Sequence, residues 1–278
     1  MSAAIMLKQR DSIHLMVDAA SYFMDGTVAG FLDKCHAVPH LHCAIATLGP
    51  SMWVPIIVDA ISDAFFSYDE MKAGIAPLLT ELFKATDPAT VIDGEVTITT
   101  DVWIIGWSEE PDGFTIGMDD LDEWERREAG NPHARRPFQI EPLHELGINL
   151  NPCPSGEQLF EAFRPRGLPN PDEMIPEIDL VQLLEVQRRL TFRDQGWHFI
   201  GGYGLLTSVT ASGVHQRRVH DWPEDKFGEL IEPRPINWQQ WRAEREAASG
   251  AKVIPMPTLN RQQRRAMKAT QRQMGRAL

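Results

Sequence analysis

Two short, mostly apolar runs separated by polar residues open the chain. Residues 3–8 and 13–17 each read as a short strand, separated by the polar turn Gln9-Arg10-Asp11-Ser12. Asp25-Gly26 marks the next turn. Residues 41–47 form a third strand-like run, ending in Leu48-Gly49-Pro50. The period then changes. Val54, Ile57, Val58, Ile61 and Phe65 recur at helical spacing. Ser67-Tyr68-Asp69-Glu70 has the form of a capping box. It predicts a second helix with Met71, Ile75, Leu78, Leu79 and Leu82 on its buried face.

Residues 96–107 and 114–118 are strand-like, joined by the polar stretch 108–113. Residues 130–154 carry several prolines and read as irregular. Residues 178–192 are predicted helical, with Leu180, Leu183, Leu184, Gln187 and Leu190 along a mostly apolar stripe. Residues 197–209 and 214–220 form a further hairpin around Ala211-Ser212-Gly213. Residues 237–249 make a last helix with Trp238 and Trp241 on one side, and residues 260–278 a basic tail, helical or disordered.

Strands, two helices, strands, helix, strands is an α+β order. It suits a four-layer αββα sandwich, in which each of two antiparallel sheets buries one face on the other and one on helices. The expected division is a domain over 2–222, a proline-punctuated extension with a short helix over 223–257, and the basic tail over 258–278.

Charge sharpens that division. The net charge is −12, which argues against general nucleic-acid binding. From 258 onward there are six basic residues and no acid, so removing that +6 leaves −18 on the rest. Such an asymmetry marks a tail that docks on an acidic partner surface. Three cysteines in 278 residues make no disulfide framework, and a reducing, cytoplasmic location is expected. The start has no apolar signal core and no run approaches the length of a membrane span, so no membrane association is expected.

The candidate chemistry lies at the N-terminus. A small residue at position 2 favours removal of Met1, which would make Ser2 the first residue. Counting from Ser2, Asp18 follows 16 residues later and Lys34 follows 32 residues later. These spacings, and the run of residues 16–34, resemble the N-terminal hairpin of proteasome β-type subunits and their bacterial or prophage relatives. These are proteasome-like N-terminal-nucleophile (Ntn) hydrolases. The resemblance covers roughly 2–220 and is strongest over 2–50.

What the resemblance implies is an amide-bond hydrolase acting on a peptide or amide substrate, without a cofactor or metal, and often assembled as a homo-oligomer. A serine hydroxyl needs an adjacent base. In this family the base is the chain's own α-amino group, whose reference pKa is about 7.7–8.0. Lys34 would lower the pKa of that amine by like-charge repulsion, and Asp18 would keep Lys34 charged and oriented. The Gly49 N–H would stabilise an oxyanion. Asp194, in Arg193-Asp194 before a glycine-containing strand, matches an acid that supports the terminal amine, and Ser155 is the candidate for a supporting serine. The chain departs from the family at Ala20, where arginine is common, and at Trp197, where a serine is usual. Those departures motivate the alternative of a catalytically inactive Ntn-fold protein with a structural or assembly role.

Other groupings rank lower. Cys35, His36, His40, His42 and Cys43 are zinc-type ligands. On a strand, however, His40 and His42 point to one face and Cys43 to the other, which favours a strand with surface histidines. Asp59 and Asp63 read as a solvated helix face. Gly201-Gly202-Tyr203-Gly204 has no helix after it, so it is read as a bulge or close packing and not a phosphate loop.

Overall fold

The computed structural model describes residues 3–50, 53–85, 99–131, 134–143, 147–191 and 196–249. The strands are β1 (Ala4–Lys8), β2 (Ser12–Asp18), β3 (Ala20–Tyr22), β4 (Val28–Phe31), β5 (Cys35–Val38), β6 (Cys43–Leu48), β7 (Thr100–Trp107), β8 (Pro111–Met118), β9 (Ile140–Pro142), β10 (Gly147–Asn151), β11 (Tyr203–Thr210) and β12 (Gly213–Asp221). The helices are α1 (Trp53–Ala64), α2 (Tyr68–Ala85), α3 (Leu121–Arg127), α4 (Gly156–Phe163), α5 (Pro176–Arg188) and α6 (Trp238–Ser249). The fold is mixed α+β. All three sheets are antiparallel: β10-β1-β2-β11-β12, β5-β6-β7-β8-β9, and the ribbon β3-β4.

Alternation explains how the two large sheets share a core. Ile13, Leu15 and Val17 of β2 cluster with Ala44, Ala46 and Leu48 of β6 and with Trp103 and Ile105 of β7. The intervening residues of the second sheet, Cys43, Ile45, Val102 and Ile104, pack instead with Trp53, Ile57 and Ile61 of α1 and Met71, Ile75 and Leu79 of α2. A period of two in the strands thus serves two apolar layers at once. Helix α5 lies against β1, β2, β11 and β12 of the first sheet, and α4 lies against α5.

Local chemistry sets several of these elements. The Ser67 hydroxyl accepts from the Glu70 N–H at 3.2 Å, which starts α2. The Glu70 carboxylate reaches back to the Phe66 N–H at 3.0 Å, one residue earlier than a standard box. Ser155 and Gln158 form a complete capping box at α4. Pro176 opens α5 where a missing N–H does no harm.

The structure corrects several expectations. The stretch 130–154, read as irregular, supplies β9 and β10, an outer strand of each large sheet. Helix α5 is buried on every face from Ile178 to Arg188, not along one stripe. Its polar members reach partners outside the helix: Asp179 accepts from the Ile175 N–H at 2.6 Å, and Gln182 and Gln187 donate to the carbonyls of Ala162 and Pro152 at 2.6 and 2.7 Å. The strand expected over 41–47 starts later. Pro39–Leu41 is a 3-10 turn and His42 has φ 53°, so His40 and His42 do not share a strand face.

The chain divides into two units, 1–239 and 240–278. The first runs past the boundary expected at 222. Thr27 and Leu230, and His198 and Ile231, form β-bridges, and Val28 N–H donates to Glu229 O at 2.9 Å. In the second unit, Gln240 donates to Glu244 at 2.8 Å and Arg242 pairs with Glu246 at 2.6 Å, both one helical turn apart. The basic tail over 258–278, and the docking role expected for it, lie outside the described residues. Among the described residues no helix is long and apolar enough to cross a membrane.

Candidate functional site

Strand β2 ends where Asp18 folds back on its own backbone. Its Oδ2 accepts from the Ala20 N–H at 3.1 Å, turning the chain into β3. The pairing Ala4↔Val17 sets Ala3 beside Asp18, and the Ala3 N–H donates to Asp18 Oδ1 at 2.9 Å. Lys34 enters from the second sheet, one residue before β5. Its Nζ lies 3.0 Å from each Asp18 oxygen. Gly201 N–H completes the set at 3.3 Å from Oδ2.

Asp18 is 0% exposed and Lys34 8%. Burial pushes the Lys34 ammonium below its usual range, while the charge and hydrogen bonds of Asp18 push it back up. A buried pair of this kind adds little to stability for its cost in lost hydration. A buried lysine whose pKa is displaced by burial and a facing carboxylate makes this a candidate site.

Gly49 follows β6. The register Cys35↔Ala46 brings Lys34 and Gly49 to the same end of the second sheet. Gly49 has φ 154°, and a Cβ there would lie 2.8 Å from Thr99 O and 2.7 Å from Thr100 Oγ1. Only glycine fits this corner. Thr47 and Thr100 are both buried, and their hydroxyls find no hydrogen-bond partner among the described residues.

Of the predicted site residues, the structure therefore brings Asp18 and Lys34 into contact and sets Gly49 at the same sheet end. Ser2 and Asp194 lie outside the described residues. Ser155 is engaged locally, its hydroxyl accepting from Gln158 N–H at 3.2 Å. The cysteine nearest the site is inert. Cys35 is buried, and burial pushes its thiol up to about 12. Burial does the same to Cys43.

Sequence reasoning missed the second buried ion pair. Arg188 and Asp225 meet through two hydrogen bonds, at 2.7 and 2.6 Å. Each side chain is 1% exposed. Arg188 also donates to Ile200 O at 2.7 Å and lies over the Trp222 ring at 4.7 Å. The Gly202 N–H donates to Asp225 Oδ2 at 2.8 Å. A Cβ on Gly201 would fall 2.3 Å from Asp225 Oδ2. The Gly201-Gly202 run was the available signal for this close packing, and a bulge does occur at Gly204/Leu205.

Around this pair a second carboxylate is strongly held. Burial alone would raise the pKa of Glu185. Hydrogen bonds from His220, Arg189 and Trp222, together with the Arg189 charge, outweigh burial and hold it at about 2. On the other flank the Tyr203 hydroxyl donates to Asp33 at 2.6 Å, with the Arg218 guanidinium 3.7 Å over its ring. Burial first, then Asp33, raises the Tyr203 pKa to about 12.

No protein-family model matches the chain, and no curated protein matches it significantly.

Proposed function

We propose that this chain is a proteasome-like Ntn hydrolase that cleaves amide bonds, with Ser2 as nucleophile once Met1 is removed. The fold that goes with this reading is a four-layer αββα sandwich, which the two shared cores and the seat of α5 support. One observation carries the functional reading. A single Asp18 oxygen accepts from both Lys34 Nζ, at 3.0 Å, and the Ala3 N–H, at 2.9 Å. The Ala3 nitrogen is bonded to the carbonyl carbon of residue 2, so the first peptide of a chain beginning at Ser2 is tethered beside a buried ammonium.

In the proposed reaction the Ser2 Oγ attacks the substrate carbonyl carbon and its proton passes to the Ser2 α-amine. The nearby Lys34 charge keeps that amine unprotonated and ready to accept. The Gly49 N–H takes the developing oxyanion. The proton then moves to the leaving nitrogen, the C–N bond breaks, and an ester on Ser2 remains. Water, deprotonated by the same amine, hydrolyses the ester and restores the enzyme.

The test is intact mass combined with a serine-reactive electrophile. The expected result is a mature chain lacking Met1 that gains one adduct, with no adduct in Ser2→Ala. Retention of Met1 in the bulk of the protein sinks the reading, because the amine would then belong to the wrong residue. A well-folded mature protein that never acylates points to a non-catalytic role.

A further inference from the structure

Six of the nine exposed large apolar side chains among the described residues belong to one ribbon and the loop bonded to it. They are Phe23, Met24, Phe31, Leu32, Phe227 and Leu230, between 39% and 79% exposed. Four belong to the β3-β4 ribbon or its flanks, and two to the loop after β12. The loop is stitched to the ribbon: Val28 N–H donates to Glu229 O at 2.9 Å and Gly228 N–H to Val28 O at 2.8 Å. Phe23 and Phe227 meet edge to face with ring centroids 6.2 Å apart.

The patch rests on a firm base. Ala20, Val28 and Ile231 form a buried cluster beneath it. A Cβ on Gly202 would lie 2.4 Å from the Phe31 ring, and one on Gly26 would lie 2.5 Å from Trp197. The Phe31 ring thus packs closely over Gly202, and Trp197 over Gly26. Contiguous exposed apolar surface of this kind marks an interaction site.

Its rim is acidic. Beside Leu230 opens a cavity of about 540 Å³ lined by Glu224, Asp225, Glu229, Leu230, Glu232 and Arg234. Asp25 stands at the ribbon tip, its carboxylate accepting from Thr27 N–H at 2.9 Å. With Asp225 and, at 3.8 Å, Glu224 both facing Arg188, the remaining carboxylates at Asp25, Glu229 and Glu232 outnumber the cations Lys226 and Arg234. That surplus repels anionic lipid headgroups. It also disfavours a two-fold pairing of this face with itself, since like charges would meet.

We propose that this face docks a basic polypeptide segment whose large apolar side chains cover the patch while its Lys and Arg meet the rim. The ribbon joins Asp18 to Lys34 directly, so a docked segment lies alongside the candidate site. Docking itself requires neither Ser2 nor hydrolysis.

The experiment uses the full chain and two fluorescein-labelled peptides of equal length, one alternating Leu and Arg, the other Leu and Glu. By anisotropy the Leu/Arg peptide binds at least roughly tenfold tighter, and added salt weakens it. Phe227→Ser and Met24→Ser each weaken it severalfold without unfolding the protein, since both side chains are exposed. Glu229→Lys weakens it and flattens the salt dependence. Ser2→Ala binds as wild type does. Equal binding of the two peptides, or no change in the variants, overturns the proposal. So does self-association that Phe227→Ser abolishes while the Leu/Arg peptide fails to bind, because the face would then belong to a second copy. Binding retained without hydrolysis counts against the function proposed above and not against this one.

Discussion

Gly201 and Gly202, adjacent in the chain, aim their amide N–H groups at two different buried carboxylates: Asp18 at 3.3 Å and Asp225 at 2.8 Å. Two ion pairs from distant parts of the sequence are thereby linked through one dipeptide. Disturbing the outer pair should therefore be felt at the inner one.

Asp225→Asn removes the bidentate counter-charge of the buried Arg188 guanidinium and leaves it only the more distant Glu224, at 3.8 Å. The expected loss is about 3–5 kcal/mol of unfolding free energy, read from urea denaturation. Arg188→Met combined with Asp225→Leu should lose less than either half alone, because no charge is then stranded. A single variant within about 1 kcal/mol of wild type would show that the pair is solvated, contrary to its burial.

Asp18→Asn keeps the shape but removes the charge that holds Lys34. The rate of Ser2 acylation should fall by about a hundredfold or more, the scale of a lost acid–base group. Its pH profile should also shift, since under the proposed mechanism the Lys34 charge tunes the Ser2 amine. A rate within about threefold of wild type would remove the Asp18–Lys34 pair from the mechanism.

His14 gives a pH dependence of stability. Burial first, then the Arg217 charge, lowers its pKa from 6.5 to about 4. The ring bonds to Ser208 at 2.8 Å, Ser12 at 2.9 Å and Gln9 at 3.0 Å. The unfolded chain takes up this proton near pH 6.5 and the folded protein only near 4. Stability is therefore full above the unfolded value and falls between about pH 6.5 and 4, by about 3 kcal/mol at most. Urea midpoints across this window, with an NMR titration of the ring, check it. A ring titrating near 6.5 refutes it.

Gly49→Ala forces a side chain into left-handed backbone and against Thr99 O. A loss of about 1–3 kcal/mol is expected, measured as a fall in the denaturation midpoint. Gly130→Ala serves as a comparison. It has φ 81° but open space around it, so it should show the conformational penalty without the collision.

The parts legible in the sequence were those whose pattern is local. Short apolar runs around a polar turn marked β1 and β2, the helical period marked α1 and α2, and Ser67 marked where the second begins. The Asp18–Lys34 contact was anticipated from the family resemblance, whose acid and lysine spacings these two residues match, and the β3-β4 ribbon between them is what brings them together. Strands β9 and β10 were not legible, since they are short and gain their form from pairing with β8 and β1. Helix α5 reads as amphipathic because its polar residues are buried on partners such as Pro152, Ala162 and Asp225, far away in sequence. The Arg188–Asp225 pair was hidden for the same reason: nothing near Arg188 announces a carboxylate 37 positions on.

Strand β12 closes one side of the first sheet and carries Arg217 and Arg218 on its exposed stretch. A bare strand edge is a template on which further chains can stack into aggregates. Here an incoming strand would have to strip water from two guanidinium groups, one paired with Glu177 and one with Asp221. The protein thus guards against fibre growth on this flank, and apolar replacements at these two arginines would remove the guard while leaving the interior untouched.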